Sequence, residues 1–404
     1  MKAVVFHAVG DIRVDEAPEP EMQDPTDAIV HLTSSAICGT DLHFVRGTMS
    51  GMKPGTILGH EGVGVIEQLG SDVRNFEVGD RVVIPSTIAC GACSYCRAGY
   101  YAQCTEANPN GPEAGTAFFG GPESTGPFDG LQADRARIPY ANVGLVKLPD
   151  EVLDEDAILI SDIFPTGYFG ADVAEIGPGD TVAVFGCGPV GQFAILGAKL
   201  FGAGRVLAID GVEDRLAAAR RQGAEVVNFN QEPPVEAIKR LTGGIGVDRA
   251  IDAVGVDAER PKTGPAAEGS GELTETFERE IAANAPETAT QDGRWKPGDA
   301  PSQALRWAVE ALAKAGTLSI IGVYPPTMEG FPIGMAMNKN LTLNMGNSNH
   351  RKYIPHLVEL VRTGAVVPSE LISQVEHIED AVDAYRAFDQ RQSGWMKVEL
   401  APAA

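Results

Sequence analysis

The sequence predicts an α/β fold in two domains, one β-rich and one built on a doubly wound parallel sheet. Three observations carry this. The chain has 404 residues, more than one ordinary domain holds. Its first third is a series of short β-branched runs punctuated by Gly and Pro. From "TVAVFG" onward, strand-like and helix-like segments alternate, as a parallel sheet with crossover helices requires.

In the β-rich part, "AVVF", "AIVHLTSSAI", "GVGVIEQLG" and "DRVVIP" read as strands. In the second part, "TVAVFG" is a buried strand and "VGQFAILGAKLFGAG" a helix. The strand "RVLAID", the helix "EDRLAAARRQGA", the strand "EVVNF", a further helix and the strand "DRAIDAVG" follow. Residues 257–300 break the rhythm and are rich in Glu, Ala, Gly, Pro and Thr. They read as an inserted acidic surface excursion, too polar for a core of its own, with one short helix at "ELTETFEREIAAN". The helix "SQALRWAVEALAKAG" and the strand "TLSIIGVYP" resume the alternation. No internal repeat is evident.

Composition removes several classes of function. Apolar content of 44% is that of a globular protein, and no apolar run has membrane-spanning length. A formal net charge of −23 argues against a nucleic-acid partner, because phosphate binding needs a positive surface. The N-terminus turns polar after a few apolar residues, so no secretory leader is expected and the cytoplasm is the expected compartment. The six cysteines are then expected to be reduced.

"GCGPVG", Gly186 to Gly191, lies between a strand and a helix, the context that gives a glycine fingerprint its meaning. Gly186 permits the tight turn, and Gly188 lets the backbone N–H groups approach a pyrophosphate. Gly191 allows close helix–strand packing, with Pro189 and Val190 opening the helix. Asp210 ends the next strand, 19 positions after Gly191, where an acid bonds a ribose 2′-hydroxyl and repels a 2′-phosphate. NAD is therefore expected over NADP. A glycine turn without ligand is the plain alternative.

Cys90, Cys93, Cys96 and Cys104 fall at C-x2-C-x2-C-x7-C. Four such thiolates suit a closed tetrahedral zinc site; an iron–sulfur cluster or a disulfide pair uses similar spacing. Zinc is favoured, since nothing else here points to electron transfer. Cys38 and His60, the latter followed by Glu61, are dispersed, and each alone reads as a core residue. Beside a dinucleotide site they become two ligands of an open zinc site that lacks a third. Asp162, an acid inside the apolar run "LISDIFPTG", is the candidate, since a buried carboxylate needs a partner. A capping or ion-paired aspartate is the alternative.

Together these residues resemble the zinc-dependent alcohol dehydrogenases of the medium-chain dehydrogenase/reductase superfamily. "GHEGVGVIEQLGSDV" fits that family's G-H-E-x2-G-x5-G-x2-V pattern, and the cysteine lobe, "GCGPVG" and Asp210 follow in the family order. Where many members carry a cysteine, "DIFPTG" has Asp162, as in the formaldehyde-dehydrogenase-like branch; "GLQADRARIPYANVGLVKLPD" and "NHRKY" also look like that branch. The resemblance implies a GroES-like catalytic domain at residues 1–163 and 348–404, with a structural-zinc lobe at about 88–106, and a Rossmann domain at 164–347. It implies two zincs per chain: one on Cys38, His60 and Asp162, one on the four lobe cysteines. It implies hydride transfer between an alcohol or hydrated aldehyde and NAD, with formaldehyde-type or glutathione-adduct substrates both open. Thr40 and His43 take the family's proton-relay positions, Asp41 that of an acid orienting His60, and Glu61 that of a carboxylate near the metal. Thr166 corresponds to a position packing on the nicotinamide, and Val254, Val323 and Gly346 to cofactor-lining positions. Arg215 corresponds to an adenosine-side residue, Lys397 to a basic residue near the pyrophosphate, and His350 to a residue lining the cleft. Homodimers and homotetramers are both common in the family. A non-catalytic NAD-binding or redox-sensing protein on the same fold is the competing reading; the set Cys38, His60 and Asp162 argues against it.

Overall fold

A computed structural model describes residues 1–269, 273–285, 295 and 297–402. The chain forms two compact units. One comprises Met1–Pro165, Glu287–Trp295 and Ser348–Ala404; the other comprises Thr166–Pro286 and Lys296–Asn347. No helix among the described residues is long and apolar enough to cross a membrane.

The first unit opens with β1 (Lys2–Ala8), β2 (Asp11–Glu16), β3 (Ala28–Ile37), β4 (Gly62–Leu69), β5 (Arg81–Ile84), β6 (Arg135–Ile138) and β7 (Val146–Lys147). The second unit contributes β8 (Thr181–Phe185), β9 (Arg205–Asp210), β10 (Glu225–Asn228), β11 (Val247–Asp252), β12 (Leu312–Ile320) and β13 (Thr342–Met345). The chain then returns to the first unit with β14 (Gln374–His377) and β15 (Val398–Ala401).

In the first unit β1 and β2 form a hairpin, and a seven-stranded sheet runs β14-β15-β3-β4-β5-β7, with β6 also on β3. All its pairs are antiparallel except β14 with β15. Val30, Leu32, Ile66, Val82 and Ile84 bury into one cluster with the cysteine lobe. Two helices matter for the site. Asp154–Ser161 ends at Asp162, whose φ of −141° and ψ of −67° break the helix before it resumes at Ile163–Val173. Pro165 explains the break, because it cannot donate to the Ser161 carbonyl four residues back. That carbonyl instead accepts the Ser86 N–H at 3.2 Å.

In the second unit all six strands are parallel and run β10-β9-β8-β11-β12-β13, the 3-2-1-4-5-6 order of a doubly wound sheet. Its two faces are both buried, as strand alternation makes visible. Ala183, Phe185, Leu207 and Ile209 join one cluster, while Val182, Val184, Val206 and Ala208 join the other.

Two expectations are corrected. The helix expected over "SQALRWAVEALAKAG" stops at Ala311, and Leu312 already belongs to β12, where Ala315 takes a φ of +60° and Gly316 packs on the Asp248 carbonyl. The excursion does carry a helix, Thr274–Asn284, but it is not only surface. Phe277 is fully buried with the Arg260 guanidinium 5.2 Å from its ring centre, so one aromatic side chain anchors the polar segment. Residues 270–272, 286–294 and 296 of the excursion lie outside the described residues.

Candidate metal centres and nucleotide turn

Cys38 leaves β3 and caps the helix Gly39–Arg46, with its N–H donating to Asp41 Oδ2 at 2.9 Å. His60 precedes β4, behind Gly59. Gly59 has a φ of +93°, and any Cβ there would strike Gln132 at 2.4 Å, so only glycine allows the approach. Asp162 sits in the helix break. One donor atom from each of Cys38, His60, Glu61 and Asp162 falls within 4.8 Å of the others, and all four residues are buried. Asp162 Oδ2 lies 3.5 Å from Cys38 Sγ and 3.4 Å from His60 Nε2. On the far side of the imidazole, Nδ1 faces Asp41 Oδ1 at 3.2 Å. Asp41 Oδ2 also accepts from Gln132 Nε2 at 3.4 Å, and Gln132 in turn accepts the Tyr385 hydroxyl at 2.8 Å.

Burial and close contact shift the protonation of all three donors. Burial pushes the Cys38 thiol up to about 11. Burial opposes protonation of His60, but Asp41 and Cys38 outweigh it and hold the imidazole well above its ordinary range. Burial alone would raise Asp162; hydrogen bonds from His350 and His60 prevail and hold its carboxyl well below the usual value. One sulfur, one imidazole nitrogen and one carboxylate oxygen are donor types that suit zinc. Asp162 both ends the helix Asp154–Ser161 and directly precedes the helix Ile163–Val173.

Cys90, Cys93, Cys96 and Cys104 also converge within 4.8 Å. Backbone N–H groups point at the sulfurs: Cys90 N to Cys104 Sγ, and Ala92 N and Cys93 N to Cys90 Sγ, each at 3.3 Å. Burial raises the Cys93 thiol, yet N–H donors from Cys96 and Thr105 overcome it and bring the group down to about 6. Four sulfurs with N–H support fit a closed four-coordinate site.

Thr40 is half-buried and His43 buried, three positions apart on one helix face; His43 Nδ1 lies 3.1 Å from the Thr48 hydroxyl. In the second unit, Gly186 has a φ of +86°, Gly188 caps the helix Pro189–Leu200, and a Cβ on Gly191 would lie 1.9 Å from the Gly186 carbonyl oxygen. Asp210 ends β9 and accepts the N–H of Cys187 at 2.7 Å, of Gly211 at 2.7 Å and of Val212 at 2.8 Å. Arg215 Nη1 is 3.9 Å from that carboxylate. Val254 follows β11 against Gly186, Val323 follows β12 against Gly255, Gly346 follows β13, and Thr166 is half-buried at the start of the unit. These positions, Thr166 apart, gather at the carboxyl ends of the parallel strands, where such folds bind ligands.

Lys397 requires a correction. It is fully buried, and its ammonium donates to Glu61 Oε1 at 2.7 Å, Glu61 Oε2 at 2.6 Å and the Ile37 carbonyl at 3.0 Å. With all three N–H bonds committed, none is left for a pyrophosphate. The sequence separation of 336 residues hid this pair. His350 is the other surprise. Its Nε2 lies 2.7 Å from Asp162 Oδ1, across 188 residues, in a segment that sequence alone marked only by resemblance.

Comparisons with known proteins agree with this geometry. Residues 24–150 match the alcohol dehydrogenase GroES-like domain, and residues 189–262 match the zinc-binding dehydrogenase domain. The zinc-type alcohol dehydrogenase-like protein AdhB of Bacillus subtilis is 37% identical over all of both chains. The glutathione-independent formaldehyde dehydrogenase of Pseudomonas aeruginosa is 33% identical over 96% of this chain and 94% of its own. Among solved structures, the alcohol dehydrogenase TADH of Thermus sp. ATN1 superposes over both full chains with a TM-score of 0.80 and 32% identity. Relatives above 30% identity along their whole length place this chain among the zinc-type alcohol dehydrogenases of the medium-chain dehydrogenase/reductase superfamily.

Proposed function

We propose that this zinc-type alcohol dehydrogenase-like oxidoreductase uses NAD to oxidise a small alcohol or hydrated aldehyde of formaldehyde type. The observation that carries the reading is the buried convergence of Cys38, His60 and Asp162, one sulfur, one imidazole and one carboxylate, the donor types of an open zinc site. When bound, zinc supplies Lewis acidity toward a substrate oxygen, and the nicotinamide accepts hydride. Cys38, His60 and Asp162 would hold the catalytic ion, and Asp41 orients the His60 ring. Cys90, Cys93, Cys96 and Cys104 would hold the structural ion. The Thr40 hydroxyl takes the substrate proton and His43 passes it toward solvent.

NAD over NADP rests on Asp210. Its three backbone donors fix the carboxylate: Oδ1 takes the Gly211 and Val212 N–H groups and Oδ2 takes that of Cys187, so Oδ2 retains a lone pair for a ribose hydroxyl. A 2′-phosphate meets that negative charge. The formaldehyde-type substrate rests on the Pseudomonas relative, a glutathione-independent formaldehyde dehydrogenase. The unit of Met1–Pro165, Glu287–Trp295 and Ser348–Ala404 is the catalytic domain in this reading, that of Thr166–Pro286 and Lys296–Asn347 the NAD domain, and the assembly a homodimer or homotetramer.

Metal analysis combined with NAD and NADP reduction over an alcohol and aldehyde panel, with and without glutathione, tests this. Two zincs per chain and NAD-linked turnover of formaldehyde without glutathione are expected. Asp210→Ala is expected to weaken NAD and narrow its lead over NADP. Two bound zincs with no turnover of any substrate would overturn the enzymatic reading in favour of a binding protein.

A further inference from the structure

We propose that His350 and Ser86 clamp one oxygen of Asp162, so that the residue acts as a one-oxygen ligand and the metal keeps an open position. This rests on the ligand set proposed above. The two carboxylate oxygens are divided between two tasks. Oδ2 faces Cys38 Sγ and His60 Nε2, at 3.5 and 3.4 Å. Oδ1 accepts from His350 Nε2 at 2.7 Å and from the Ser86 hydroxyl at 3.2 Å. A carboxylate only accepts, so Nε2 carries the proton. Nδ1 lies 3.2 Å from the Thr87 hydroxyl, which donates to it and fixes the ring. All of these residues are buried.

The chemistry gives the clamp its purpose. A cysteine at this position, as in many relatives, offers a single sulfur. An aspartate offers two oxygens, and a carboxylate free to chelate would use both. A bidentate Asp162 would fill the coordination site that an open zinc centre keeps for water or substrate. Replacing sulfur by carboxylate therefore creates a need that the cysteine version lacks. The second carboxylate in the cluster is restrained in the same way: both oxygens of Glu61 are held by Lys397. Surplus oxygens near the metal are thus occupied by protein donors.

The clamp is itself well held. His350 begins the helix His350–Arg362, and the preceding Asn349 accepts the Ala102 N–H at 3.0 Å. Ser86 is anchored by its own N–H on the Ser161 carbonyl, the acceptor released by Pro165. His350 is a positioning residue; in this scheme it touches neither metal nor substrate.

The test uses the full-length protein with cobalt(II) exchanged into this site and zinc kept at the four cysteines. His350→Ala is expected to retain the metal while its visible d–d bands weaken severalfold, as coordination number rises. kcat/KM should fall about 10–100-fold, the usual cost of losing a partner of a metal ligand. His350→Gln, which keeps an N–H donor, should restore part of both signals, and Ser86→Ala should shift both in the same direction and serves if His350→Ala misfolds. In an Asp162→Cys background the His350→Ala change should alter the cobalt spectrum little and kcat/KM within about twofold, the scatter of independent sites. An unchanged spectrum in metal-replete His350→Ala, or an equal effect in the cysteine background, would overturn the clamp and leave the ligand reading standing. Full metal content in Asp162→Ala would overturn the ligand reading and the clamp with it.

Discussion

Lys397 and Glu61 show what a single buried pair contributes. Burial favours the neutral amine, but the Glu61 carboxylate prevails and raises the Lys397 ammonium above its ordinary range. Replacing such a pair by apolar groups is often neutral, whereas removing one partner strands a charge. Lys397→Met is therefore expected to cost about 3–5 kcal/mol in denaturant unfolding, and Lys397→Met with Glu61→Leu to recover most of it. Equal losses in the single and double variants would show that packing around Lys397, not its charge, carries the stability. At this scale the sequence was only partly legible. Asp162 announces itself as an acid in an apolar run, whereas Cys38 and His60 each read alone as core residues and became candidate ligands only beside the dinucleotide signal. Lys397 and His350 do not, because their roles are set by partners hundreds of residues away, and nothing local distinguishes them from surface residues.

The glycine turn between β8 and the helix Pro189–Leu200 separates steric from functional glycines. At Gly191 an added Cβ would sit 1.9 Å from the Gly186 carbonyl oxygen, a clash with backbone that only a shift of the turn relieves. At Gly188 the nearest atom is the flexible Arg215 Nη1 at 3.7 Å, and the backbone φ of −65° suits any residue. Gly191→Ala is thus expected to destabilise the unit by about 1–3 kcal/mol. Gly188→Ala should leave thermal stability unchanged while weakening NAD by about tenfold, about 1.4 kcal/mol, measured by titration calorimetry. A stable Gly188→Ala with native NAD affinity would remove the pyrophosphate from this turn. Nearby, Asp180 closes the entry to β8 by accepting the Gly177 N–H at 2.9 Å and Arg249 Nε at 2.8 Å. Burial alone would raise its pKa, but these donors hold it below the ordinary carboxylate value. A depressed folded pKa contributes stability above the unfolded value, about 3.9, and loses it as pH falls through the folded one. The gap in urea midpoint between wild type and Asp180→Asn should therefore be constant above about pH 5 and shrink below about pH 4. A gap that widens on acidification would contradict this ion pair. Elements were the most legible level, since strand and helix periodicity are local. The misread helix end at Ala311 came from "AKAG", whose Ala and Lys favour helix but which forms the irregular stretch of β12 between Leu312 and Thr317, the residues that pair with β11 on either side.

At the scale of the first unit, the cysteine lobe and the Asp162 cluster are linked through one short path. The turn Tyr101–Gln103, just before Cys104, presents the Ala102 N–H to Asn349, and His350 follows directly. The lobe therefore braces the residue that holds Asp162 Oδ1. The two candidate metal sites would be coupled through folding, because a structural zinc stabilises whatever its ligand loop packs against. Cys93→Ser tests this. It removes the thiol that N–H donors have brought lowest, and a hydroxyl replaces a thiolate poorly as a zinc ligand. We expect loss of about one zinc per chain by metal analysis, with a fall in Tm on the order of 5 °C or more. If the bracing is real, the remaining site should also change, with cobalt d–d bands weakened in the same sense as in His350→Ala. Loss of the lobe zinc with an unchanged spectrum at the other site would make the lobe a local staple only, and full zinc content would refute its assignment as a metal site.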